Sequence, residues 1–198
     1  MKTLIFAAIR CSLMFTAVAA FSFAHPAKAN LITNPGFETG DFTGWTTSGF
    51  AVVSGTFFNL APHSGNFQAN LGNPLVNGSI TQTLATMAGQ SYTIDFWLAL
   101  PPGQPLNPFN SFVVTWGGVT ILNLHNFAGF AYTEYTFTET AASASTALHF
   151  EGSNPNLFGF SGWALDDVSV NVPDGGTTVS LLGFGLLGLA ALRRKLGC

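Results

Sequence analysis

Charge is what this sequence lacks most. Only 8% of its 198 residues are charged, far below the roughly 25% usual in soluble domains. All six basic residues lie at the two ends: Lys2, Arg10 and Lys28, then Arg193, Arg194 and Lys195. Between Asn30 and Val172 there is neither Lys nor Arg, while Glu38, Asp41, Asp95, Glu134, Glu139, Glu151, Asp166 and Asp167 supply eight acids. A stretch of that sign repels a phosphate backbone, so no nucleic-acid partner is expected. Cysteine is scarce as well. Cys11 falls in an N-terminal leader and Cys198 closes the chain, which leaves no internal disulfide and makes the domain depend on its core. Low charge with 22 Gly and 10 Pro excludes a coiled coil or a helical bundle. Catalytic patterns are missing too. There is no Gly-x-Ser-x-Gly elbow, phosphate loop or catalytic cysteine pattern, and His63, His125 and His149 are too far apart for a metal-binding helix. A glycosidase needs two opposed carboxylates about 5 to 10 Å apart, and nothing singles out one pair among eight. The sequence is therefore read as that of a non-enzyme.

The two ends carry addresses. Lys2 and Arg10 precede a mostly apolar run from Cys11 to Ala24, and His25-Pro26-Ala27-Lys28-Ala29 closes it with an Ala-x-Ala pattern. Residues 1–29 read as a helical signal peptide cut by signal peptidase after Ala29. At the other end Val172-Pro173-Asp174-Gly175-Gly176 is followed by an apolar run at 177–192 and a basic tail at 193–195. Sixteen helical residues reach about 24 Å, a little short of a hydrocarbon core. The segment is expected as a weak transmembrane helix with its basic tail in the cytoplasm, which leaves the rest of the chain outside. The plain alternative is a permanent tail anchor.

Residues 30–172 alternate between short apolar runs and Gly, Pro, Asn and Ser. Strands are expected at 50–53, 66–71, 79–84, 92–100, 111–116, 119–124, 132–138, 146–151 and 163–171. In Tyr92-Thr93-Ile94-Asp95-Phe96-Trp97-Leu98 the even positions form an apolar face, so Trp97 falls on the opposite one. About nine such strands imply an all-β domain of two antiparallel sheets packed face to face. The Pro-rich stretch 101–108 is expected as a loop at one end. Trp163 and Leu165 share one parity, Val168 and Val170 the other, which predicts a bulge at Asp166 and Asp167.

Two resemblances add to this. Val172-Pro173-Asp174-Gly175-Gly176, the weak helix and the basic end resemble PEP-CTERM sorting signals of the VPDSG variant, with Gly175 where the usual serine stands. That resemblance implies an exosortase-type membrane transpeptidase as partner. It also implies transient inner-membrane anchoring and delivery to the cell surface or exopolysaccharide matrix. The opening Asn30-Leu31-Ile32-Thr33-Asn34-Pro35-Gly36-Phe37-Glu38 with Trp45, and the close Trp163-Ala164-Leu165-Asp166-Asp167-Val168-Ser169-Val170, resemble the first and last strands of jelly-roll carbohydrate-binding modules with a galactose-binding-like fold. That family implies buried tryptophans at 45 and 163, and a structural calcium held by a glutamate after the first strand, an aspartate in the last and backbone carbonyls between. Here the acids in those places are Glu38, Asp166 and Asp167. The charge pattern agrees, since a buried carboxylate has no Lys or Arg to meet it and oxygen ligands suit calcium. The alternative is that backbone N–H groups satisfy these acids without a metal.

Sugar recognition combines an aromatic platform with amide and carboxylate hydrogen-bonding groups, because a pyranose has an apolar face and a polar rim. Trp97, Trp116 and Asn107 are the candidates. Two functional readings follow: a non-catalytic structural component of the surface or matrix, and a glycan-binding module that holds exopolysaccharide.

Overall fold

The computed structural model describes residues 29–103, 106–155 and 162–173. The expected signal helix and the C-terminal helix and basic tail lie outside these residues. Ten strands follow in chain order: β1 (Thr46–Gly49), β2 (Ala51–Ser54), β3 (Gln68–Leu71), β4 (Gly78–Ala85), β5 (Ser91–Leu100), β6 (Ser111–Trp116), β7 (Val119–His125), β8 (Phe130–Thr140), β9 (Ser145–Ser153) and β10 (Trp163–Asn171). They form two five-stranded antiparallel sheets in the orders β1-β4-β9-β6-β7 and β2-β3-β10-β5-β8.

Period-two alternation builds the space between the sheets. In β5, Tyr92, Ile94, Phe96 and Leu98 are buried and point at the other sheet, while Thr93, Asp95 and Trp97 are half-buried on the outer face. In β9, Leu148 and Phe150 point inward against His149 and Glu151. Phe96 and Phe150 meet edge to face across the two layers, with ring centroids 5.1 Å apart. Phe112 and Trp163 form a second inter-sheet contact at 5.3 Å. Trp45 and Trp163 are both buried.

The opening motif is not the strand expected of it. Pro35 and the left-handed backbone of Asn34 and Phe37 break any extended run, so residues 30–45 form turns. They are nevertheless tied to β10. The Asn30 side chain accepts from Val170 N–H at 3.0 Å and donates to the Val168 carbonyl at 3.0 Å. Leu31 N–H donates to the Val170 carbonyl, and Val168 N–H to that of Pro35. Since β3 pairs β10 only at residues 163–165, this segment takes over the free side of β10 further along. Phe37, fully buried, packs on Trp45 and anchors it.

Two irregularities occur close together. On β10, Asp166 pairs with Trp97 and Ser169 with Asp95, so three steps on β10 match two on β5. This is the bulge expected from the parity switch, and Asp167 occupies it with φ 47°. On β8, Thr133 pairs with Leu98 and Phe130 with Leu100, leaving one extra residue opposite Ala99.

Candidate functional site

Beside these bulges an aromatic and carboxylate cluster stands on the outer face of the second sheet. Asp166 projects outward from β10 beside Trp97 of β5, and Tyr132, two residues from Glu134 on β8, shares that face. The connection between β2 and β3 folds over them. His63, on that connection, stacks on Trp97 with centroids 3.8 Å apart and planes within 14°. It also meets the Tyr132 ring edge-on at 5.5 Å.

Carboxylates hold this connection in place. Asp166 Oδ2 accepts from the backbone N–H groups of His63 (2.9 Å) and Ser64 (3.2 Å), and Oδ1 accepts from Asp167 N–H at 2.8 Å. Asp167 Oδ2 lies 2.6 Å from His63 Nδ1, and the Ser64 hydroxyl donates to Oδ1 at 2.7 Å. Glu38 accepts from the N–H groups of Asn66 and Phe67. Between these clamps only glycine fits at position 65: its φ is +59°, and a Cβ there would stand 2.4 Å from the Glu38 carboxyl. Beneath the clamped segment Gln68 and Asn70 are fully buried although they lie on an outer sheet face. Gln68 donates to the Gly55 and Leu60 carbonyls, and its own carbonyl accepts from the Tyr132 hydroxyl, which reaches it across β5 and β10.

The electrostatics follow from burial. Asp166 is fully buried, and desolvation lifts its carboxyl from 3.8 to about 6, against the opposing pull of three backbone donors. The Tyr132 phenol is pushed well above its usual value, first by burial and then by the charges of Asp166 and Asp167. It therefore stays a neutral donor.

The arrangement does not assemble a nucleophile. The Ser64 hydroxyl is spent on Asp167 rather than on His63, and fully buried Asp166 cannot reach a substrate. What it does present is a half-buried indole carrying a stacked imidazole, beside a neutral phenol and carboxylates. Of the three expected ligand-contacting residues only Trp97 is placed to serve. Trp116 faces the interior at 3% exposure and packs on Tyr92, because β6 alternates with its even positions inward. Asn107 is buried, donating to Asn154 Oδ1 at 2.7 Å and accepting from Phe109 N–H, so it holds the 106–110 turn together. His63, Ser64 and Gln68 are the members that sequence did not single out.

Glu38, Asp166 and Asp167 all border Gly36, the first through its Cγ and not its carboxyl group. A Cβ on Gly36 would lie 3.3 Å from Asp167 Oδ1, 3.6 Å from Asp166 Oδ1 and 3.6 Å from Glu38 Cγ. Three oxygen-bearing acids with no Lys or Arg nearby are the donor chemistry calcium takes. Their oxygens, as placed, face N–H and O–H donors, and no three acids converge as a ligand set among the described residues. Of the sorting motif, Val172 is exposed and Pro173 half-buried directly after β10, while Asp174, Gly175 and Gly176 lie outside the described residues.

A jelly-roll sandwich of this kind is the fold of carbohydrate-binding modules. TmCBM61, solved in complex with beta-1,4-galactotriose, superposes with a TM-score of 0.55 at 18% identity, covering 73% of this chain and 99% of that one. The CBM22-1 xylan-binding domain of Xyn10C from Paenibacillus barcinonensis gives 0.50 at 16% identity, covering 77% and 100%. Residues 171–196 match the VPDSG-CTERM motif, as the C-terminal pattern led us to expect. In sequence the chain is 28% identical over 155 residues to endo-1,4-beta-xylanase A of Thermoanaerobacterium saccharolyticum. The match takes in 71% of this chain but only 12% of that enzyme.

Proposed function

We propose that this is an exported, non-catalytic glycan-binding module that holds its ligand at Trp97. An exosortase-type transpeptidase acts on its C-terminal signal, and after transient anchoring in the inner membrane the module passes to the cell surface or exopolysaccharide matrix. The observation that carries the binding reading is the outward Trp97 with its His63 and Tyr132 neighbours, on the polar outer face of a sandwich whose fold is that of carbohydrate-binding modules. The Trp97 indole and the His63 ring stacked on it, held between two bulged strands and a clamped loop, offer a preset aromatic surface for a sugar ring, while the exposed hydroxyls of Thr136 and Thr138 on β8 offer partners for its rim. The test is retention of the exported protein on immobilised polysaccharides, the host's own exopolysaccharide included. Trp97→Ala should lose at least tenfold in affinity with its melting temperature little changed. Unchanged retention would remove Trp97 from the site. The sorting reading is checked by intact mass: the surface form should lack residues 193–198, and finding them there would leave a plain tail anchor.

We also propose that calcium bound by Glu38, Asp166 and Asp167 stiffens this corner. The approach of Asp166 Oδ1 and Asp167 Oδ1 to Gly36, which the Glu38 side chain also borders, supports it. Binding requires them to exchange some N–H partners for the ion, and native-state binding raises the melting temperature.

A further inference from the structure

We infer that the Trp97 site selects uncharged polysaccharide and rejects chains bearing carboxylate, sulfate or phosphate groups. This rests on the glycan-binding reading and names its ligand class. Register puts acids on three sides of the indole. Glu134 of β8 is directly opposite Trp97 on one flank and Asp166 of β10 on the other. Asp95 stands two residues along β5 on the same face, and Asp167 follows Asp166. No Lys or Arg occurs from Asn30 to Val172. The histidine beside the indole, His63, has its Nδ1 turned to Asp167 at 2.6 Å. The other polar outward groups on these strands are uncharged: Thr93 on β5, Ser169 and Asn171 on β10, Thr136 and Thr138 on β8. Such a surface offers hydrogen bonds to sugar hydroxyls and gives an anion no Lys or Arg to pair with.

The size of the discrimination follows from strand geometry. Side chains on adjacent strands, or two apart on one strand, stand about 5 to 7 Å apart. A carboxylate on a chain lying over Trp97 thus comes within roughly that distance of three acids. In water each such like-charge pair weakens binding about threefold, and salt at physiological strength halves the underlying repulsion. One acidic group at the site therefore costs more than tenfold at low salt and about fivefold at physiological salt.

The experiment measures affinity of the exported protein for galactan, glucan and mannan, each before and after partial oxidation of its primary hydroxyls to carboxylates. Whichever neutral chain binds should bind more than tenfold less well once oxidised at low ionic strength, and the gap should shrink as salt rises. Glu134 is exposed and Asp95 half-buried on the outer face, so Glu134→Gln combined with Asp95→Asn should keep the fold and narrow the gap. Equal or tighter binding of the oxidised chain, or binding of it that appears only with calcium, overturns the charge inference and leaves the glycan reading standing. Failure to retain any of these chains or the host's exopolysaccharide overturns the glycan reading itself, and this inference with it.

Discussion

Replacing Asp166 with alanine should have an effect on stability that grows as the solution becomes more acidic. The variant leaves three backbone N–H groups, those of His63, Ser64 and Asp167, without their acceptor, a loss of about 1 kcal/mol each. Set against this is the cost of keeping a buried carboxylate ionised. A folded-state value near 6 against an ordinary 3.8 makes that cost at most about 3 kcal/mol at neutral pH. Because the folded value is the higher one, the native state binds more protons between pH 3.8 and 6, and wild-type stability from this group rises as pH falls through that window. The variant lacks the term. In chelator, the wild-type advantage should be small at pH 7 and wider by about 2 kcal/mol at pH 4.5, read from denaturant unfolding at both pH values. A bound calcium ion reverses the sign, since it requires Asp166 ionised: in saturating calcium the advantage should be greatest at pH 7 and fall with acid. An advantage that stays constant or narrows with acid in chelator would refute the assignment of Asp166 as a desolvated acid. Identical profiles in chelator and calcium would remove the metal proposal.

Two further outcomes follow. Phe150→Ala should cost about 3–5 kcal/mol, since Phe150 is fully buried and touches Trp45, Phe96 and Phe112. A loss under 1 kcal/mol in a chemical melt would mean that these rings do not couple the sheets. Gly65→Ala should cost about 1–3 kcal/mol and speed amide exchange at Asn66 and Phe67, whose N–H groups the Glu38 carboxylate holds. Unaltered exchange there would show that Glu38 does not fix the loop.

The sheets were legible because their inner faces alternate. β6 and β10 have the bounds expected, and Asp166 and Asp167 reported their own bulge through the parity of their neighbours. β1 was invisible for the opposite reason. Its Thr46-Thr47-Ser48-Gly49 is exposed throughout and held by backbone pairing with β4 alone, so no apolar pattern marks it. Trp97 was readable as outward-facing from Phe96 and Leu98, but its partner was not. His63 lies 34 residues earlier in an irregular segment, brought there by Asp166 and Asp167, and no local periodicity encodes such a meeting. Trp116 and Asn107 were overvalued because residue type alone does not distinguish a core indole, or an amide that ties one turn, from one free to meet a ligand.

The last strand of the chain lies at the middle of its sheet, between β3 and β5, with the N-terminal segment along the rest of its edge. No portion of the chain ending before residue 163 can close that sheet. The sandwich thus matures only when its final strand is delivered, and the Val172-Pro173 that opens the sorting motif follows with no spacer. A truncated product lacking β10 would be unable to bury Ile94, Phe96 or Leu71, and would be a ready substrate for proteases.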